Sequence, residues 1–113
     1  HAMIETAKDR VHGIAGDIAS LPPEDERSSG DVRRAAILNK RLDTAIESYL
    51  NAMEEACAKY HDNKIDRKRF REQHQLEVRQ LANADVARDR LGEPGAYPSI
   101  LRTLTAWKEL PPR

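Results

Sequence analysis

Apolar residues near the start of the chain fall at Ile4, Ala7, Val11, Ile14, Ile18 and Leu21, with spacings of 3, 4, 3, 4 and 3. That rhythm predicts a helix from about Met3 to Leu21, with residues 4–21 as its apolar span and a stripe as narrow as a coiled-coil seam. Gly13 and Gly16 weaken this helix by up to about 1 kcal/mol each, and they would allow another helix to approach closely. Pro22 and Pro23 stop it. The polar stretch PPEDERSSGD, residues 22–31, then reads as a flexible linker and hinge. It leaves the first helix free to fold back on its own chain or to swap onto a neighbour.

A second helix is predicted from about Asp31 to Tyr60, capped by Ser29 or Asp31. One apolar stripe runs through Ala35, Leu38, Leu42, Ala45, Tyr49, Met53, Ala56 and Tyr60. Another runs through Ile46, Leu50, Met53 and Cys57. Together they make a wide face, so this long helix is central. Its polar side carries Arg34, Arg41, Glu47, Asn51, Glu54 and Glu55, and Glu55 and Lys59 have the spacing of a favourable ion pair. The turn HDNKI follows, with Asp66 as cap of a third helix that places Phe70, His74, Val78 and Leu81 inward and Leu76 off the stripe. This helix either continues to Leu91, ended by Gly92, or breaks near Asn83. After the loop GEPGAYP, a short fourth helix is expected from Pro98 to Leu110, with Ile100, Leu101, Leu104, Trp107 and Leu110 inward. No strand-like alternation and no internal repeat appears. The expectation is an all-α, four-helix bundle-like single domain, with its helical core in residues 32–110 and a hinged first helix.

Composition changes this picture in one respect. Leu, Ile, Val and Phe together number only 22 in 113 residues, whereas alanine supplies 15. Alanine favours helix but contributes little buried area. The core is therefore thin, and a partner that completes it is expected. The single cysteine permits no internal disulfide, which points to a reducing compartment. No apolar run approaches the length of a membrane span. The opening His1-Ala2-Met3 has the form of a cloning remnant: His1 and Ala2 read as foreign, and Met3 as either the native start or the first residue of an excised domain. The expected location is cytoplasmic, or else the soluble part of a membrane-anchored protein.

The 19 basic and 19 acidic residues balance, which disfavours a general nucleic-acid binder. The balance is local, however. Residues 1–30 hold six acids and three bases, and residues 61–80 hold six bases and four acids. Lys64, Arg67, Lys68, Arg69 and Arg71 crowd the first turns of the third helix. Positive charge there opposes the helix dipole at a cost of roughly 0.3 kcal/mol or more per residue. These five side chains are candidate contacts for a partner: phosphate in nucleic acid or on an anionic surface, or the acids of residues 24–26, in the same subunit or another.

Cys57, His61 and His74 suggest a metal site on paper, but the spacing matches no zinc framework. Asp62 opens a twelve-residue stretch that lacks the glycine and the final glutamate of a calcium loop. Cys57 lies near a helix C-terminus, whose dipole raises a thiol pKa, so it reads as core rather than nucleophile. No catalytic residue, cofactor or metal is assigned, and the chain is expected not to be an enzyme. Tyr97 and Trp107 read as large core residues covering an end of the bundle rather than as a binding groove.

Tyr49, Leu50, Asn51 and Glu54, then Ile65 and Asp66, then Trp107 form a pattern that resembles a group of uncharacterised bacterial helical domains. There a Tyr-Leu-Asn-x-x-Glu stretch ends one helix, a turn with Ile-Asp opens the next, and a tryptophan lies near the end. The likeness covers residues 36–110 and departs at Met53, where an aromatic is expected. It implies a helical fold and a bacterial source and no activity; some members follow a transmembrane segment. The expected function is protein–protein interaction, as a homodimer or in a small assembly. The interface is placed on Ile4, Val11, Ile14 and Ile18, and the alternative is nucleic-acid or anionic-surface binding through the basic start of the third helix.

Overall fold

The computed structural model describes residues 2–107, without the side chains of residues 2, 82, 85 and 86. The expectations placed on His1, on Leu110 and on the closing Pro111-Pro112-Arg113 lie outside the described residues. Within them every regular element is helical: α1 (Ala2–Ala19), a 3-10 turn (Glu24–Glu26), α2 (Ser29–His61), α3 (Arg67–Asn83), α4 (Asp85–Leu91) and α5 (Pro98–Trp107). The chain divides into two compact units, His1–Ala52 and Met53–Arg113. Residues 29–52 of α2 belong to the first and residues 53–61 to the second.

In the first unit α1 lies antiparallel to the first part of α2. Met3, Thr6, Ala7 and Arg10 share a cavity of about 370 Å³ with Ser48 and Ala52. At the other end Asp17 shares one with residues between Gly30 and Arg41. The connection is shorter than the pattern suggests and is tied by hydrogen bonds. Arg27 Nε donates to the Pro22 carbonyl at 2.8 Å, and Glu26 N–H to Pro23 O at 2.8 Å. The cap of α2 is Ser28, not Ser29 or Asp31 alone. Ser28 Oγ accepts from Asp31 N–H and Asp31 Oδ2 accepts from Ser28 N–H, each at 3.1 Å. This reciprocal box satisfies two amide groups and starts the helix at Ser29, ahead of the expected Asp31. Ala35, Leu38, Ala45, Ile46, Tyr49 and Leu50 are buried, as their stripes predict. A methyl group added at Gly13 or Gly16 would meet no other atom within 4 Å, so neither glycine is used for a close helix approach in this unit.

In the second unit α3 packs against both α4 and α5. Two local signals place these helices. Asn63 takes φ of 57°, while Lys64 N–H bonds Lys59 O at 2.9 Å and Asn63 N–H bonds Tyr60 O at 3.3 Å. This left-handed stop ends α2 with an asparagine where glycine is commoner. Asp66 then caps α3, accepting from Arg69 N–H at 3.1 Å. The third predicted helix breaks at Ala84, whose extended backbone (φ −80°, ψ 126°) serves as the cap residue on both sides. Hence the described residues hold five α-helices where four are expected. Asn83 is a weak helix former, and its side chain bonds back to Arg79 O at 3.1 Å while Arg88 bonds its carbonyl at 3.3 Å. Gly92 has right-handed φ of −76°; the glycine that supplies positive φ is Gly95, at 76°, in the loop before α5.

Candidate functional site

The most developed side-chain constellation lies in the second unit, where the end of α2 meets α3 and α5. Glu54 is half-buried and points its carboxylate at the start of α5. Ser99 N–H donates to Oε2 and Ile100 N–H to Oε1, both at 2.9 Å. Pro98 has no N–H to satisfy, so a single carboxylate serves the next two amides of the helix. The glutamate thus caps a helix 45 residues later in sequence, and its charge lies at the favourable end of the helix dipole.

One turn further along α5, the Thr103 hydroxyl is fully buried and donates to Ser99 O at 2.8 Å. Its oxygen then accepts from His61 Nε2 at 2.9 Å, which puts the imidazole proton on Nε2. Burial lowers the His61 pKa from its ordinary 6.5, with help from the positive charges of Arg102 and Arg67. Cys57 is also fully buried. Burial pushes its thiol up to about 11, against an opposing hydrogen bond with Thr103 and with a smaller push from the Glu54 charge. A thiol held protonated near neutral pH is a core group and a poor nucleophile.

Trp107 closes this side of the unit. Its indole N–H donates to the Tyr60 hydroxyl at 2.9 Å. The ring of Tyr60 lies 5.6 Å from Trp107 at a right angle and 5.5 Å from Phe70. Phe70 in turn lies 4.8 Å from His74. Tyr97 and Trp107 are both buried, in keeping with the core reading. His74 is buried as well: its Nδ1 meets Glu77 Oε1 at 2.9 Å, and its Nε2 has no hydrogen-bond partner among the described residues.

The five basic candidates do not act alike. Arg67 stacks over the Tyr60 ring at 4.6 Å, and Arg71 lies 5.8 Å from the Trp107 ring. The two arginines, one turn apart, therefore rest their charge on the negative faces of aromatic core residues. That is a partial answer to why positive charge is tolerated at this end of α3. Arg67 also reaches Asn63 Oδ1 at 3.4 Å. Arg67, Lys68 and Arg71 line one shallow groove of about 440 Å³ with Tyr60, Glu72 and Gln75. Lys64 and Arg69 are exposed and are not among the residues lining it.

The four candidate interface residues are in the first unit. Ile4 is completely buried, while Val11, Ile14 and Ile18 are half-buried along α1. Cys57 and His61 both meet Thr103 while His74 meets Glu77, and among the described residues no three His, Cys, Asp or Glu side chains gather closely enough to hold a metal ion. Among the same residues no helix is long and apolar enough to cross a membrane. What the sequence pattern misses is the role of Glu54, placed on the polar side of α2, and of Thr103, which lies off the expected stripe; no signal within a local window identifies either.

The described residues thus define an all-helical protein with a carboxylate-capped, tryptophan-closed second unit. No protein-family model, curated protein or solved structure matches the chain.

Proposed function

We propose that the protein is a non-enzymatic self-association domain, acting as a homodimer through α1. The observation that carries the reading is the half-burial of Val11, Ile14 and Ile18 along a strict heptad stripe. Two helices cannot enclose a core by themselves, and further apolar area lies open beside them. Met3, Val32 and Ile37 are 61%, 56% and 54% exposed. In this reading residues 22–31 hold the hinge of the first helix, and a second copy completes a bundle with α1 and α2. A bacterial source rests on the resemblance of Tyr49-Leu50-Asn51…Glu54, Ile65-Asp66 and Trp107 alone; in the fold Glu54 caps α5, Asp66 caps α3 and Trp107 bonds Tyr60. A cytoplasmic setting fits the single buried thiol.

Light scattering over a range of concentrations tests this. A two-chain particle is expected. A strict monomer whose stability survives removal of residues 1–22 would sink the reading. The second reading, binding of nucleic acid or an anionic surface, is favoured by the groove that gathers Arg67, Lys68 and Arg71. It requires affinity that falls steeply with salt and that drops on reversing Arg67 and Arg71.

A further inference from the structure

The first unit carries opposite charges on adjoining segments. From Asp17 to Glu26 the chain has four acids and no base. The 3-10 turn between the helices presents Glu24, Asp25 and Glu26, all exposed. Immediately beyond, Arg33, Arg34 and Arg41 line a groove of about 410 Å³ with the exposed Ile37 at its side; Asp17, on the α1 wall, is its one carboxylate. Arg33, Ile37 and Arg41 are spaced at four residues, so they share one face of α2. Among the described residues none of these three arginines and none of the three turn acids is in an ion pair. The groove is therefore a positive, partly apolar surface, and a negative knob of matching charge count sits beside it on the same unit.

From this juxtaposition we infer that a second copy of the chain occupies the groove, its Glu24–Glu26 turn seated against Arg33, Arg34 and Arg41, and that the contact is made twice about a two-fold axis. A surface that carries both a knob and its socket is self-complementary, which is what a two-fold contact requires. Ile37 from each copy supplies apolar contact, and Ile14 and Ile18 lie within one turn of Asp17 on α1, next to the same groove. The acids also counter the positive charge that Arg33 and Arg34 place in the early turns of α2, against its dipole. The inference rests on the self-association reading and specifies the partner's face and the chemistry that fixes its register.

Two charge-reversed chains test it: Arg33→Glu/Arg34→Glu/Arg41→Glu, and Glu24→Lys/Asp25→Lys/Glu26→Lys. Sedimentation equilibrium is run on each alone, on an equimolar mixture and on the unaltered chain. Each variant alone should be monomeric at concentrations where the unaltered chain is dimeric. In the mixed dimer both contacts are attractive, one with the original signs and one with the signs exchanged, so the mixture should associate at least about tenfold more tightly than either variant alone. The unaltered dimer should weaken by about tenfold between 50 and 500 mM sodium chloride, because its contacts at the rim are screened. That salt series decides the matter by itself should a variant fail to fold. An unaltered dimer indifferent to salt, with both variants still dimeric, would overturn the charge clamp and leave self-association standing. An unaltered chain that is monomeric throughout would remove both.

Discussion

Glu54 offers the sharpest test of the second unit, because one side chain holds the start of α5 across 45 residues of sequence. Replacing it with alanine removes two hydrogen bonds of 2.9 Å and leaves the amides of Ser99 and Ile100 without an acceptor. A hydrogen bond to a charged group contributes about 1.5–3 kcal/mol, and a lost helix cap costs about 0.5–2 kcal/mol. The two bonds share one carboxylate that is partly open to water, so the sum is not additive. About 2–4 kcal/mol is expected for Glu54→Ala. Glu54→Gln keeps one acceptor oxygen but loses the charge, and about half that cost is expected. Urea unfolding followed by circular dichroism measures the change, and thermal unfolding should show a fall in Tm of about 4 °C per kcal/mol for a chain of this size. A local readout separates the cap from general damage. Hydrogen exchange at Ser99 and Ile100 should accelerate more than exchange at Phe70, whose amide is bonded within the start of α3. An alanine variant within 0.5 kcal/mol of the original, or one with unchanged exchange at Ser99 and Ile100, would refute the capping role.

Two further outcomes follow from the same unit. At Asn63, whose φ is 57°, Asn63→Gly should match or exceed the original stability, whereas Asn63→Val should lose about 1–2 kcal/mol in thermal unfolding; the reverse order would contradict the left-handed stop. His61 has a lowered pKa, so below its ordinary 6.5 the unfolded chain takes up the proton before the folded one does. The contribution of His61 is therefore fully present above that pH and is lost as pH falls through its folded value. Tm measured from pH 7.5 down to 5.5 should drop less in His61→Gln than in the original, and an equal drop in both would remove the claim.

The sequence pattern captures this protein where the physics is local. Asp66 is legible as a cap because its acceptor and the Arg69 amide are three residues apart. The two stripes of α2 are legible because side chains four residues apart must share a face, and their members from Ala35 to Tyr60 are buried apart from the half-covered Leu42. The Glu55–Lys59 pair forms at 3.5 Å for the same reason. What escapes is non-local. Glu54 looks like one more solvated acid on α2 until α5 is placed beside it. Arg67 and Arg71 look like an unbalanced charge run until Tyr60 and Trp107 lie beneath them. The break at Ala84 is one of the two paths the pattern leaves open near Asn83, where weak helix propensity suggests a break but does not choose between them. Ile4 has the same place in the heptad as Ile18, yet one is buried and the other only half so. Periodicity finds a stripe but not how much of it is covered.

The half-covered part of that stripe carries the central claim, and denaturation at different protein concentrations tests it most directly. If the folded form is a dimer of the 12.8 kDa chain, its urea midpoint must rise as concentration is raised a hundredfold, because dissociation accompanies unfolding. A rise of about 2.7 kcal/mol in apparent stability is the expected result for fully coupled folding and association. A midpoint that stays fixed across the whole range, with a single-chain mass at its top, would contradict the account.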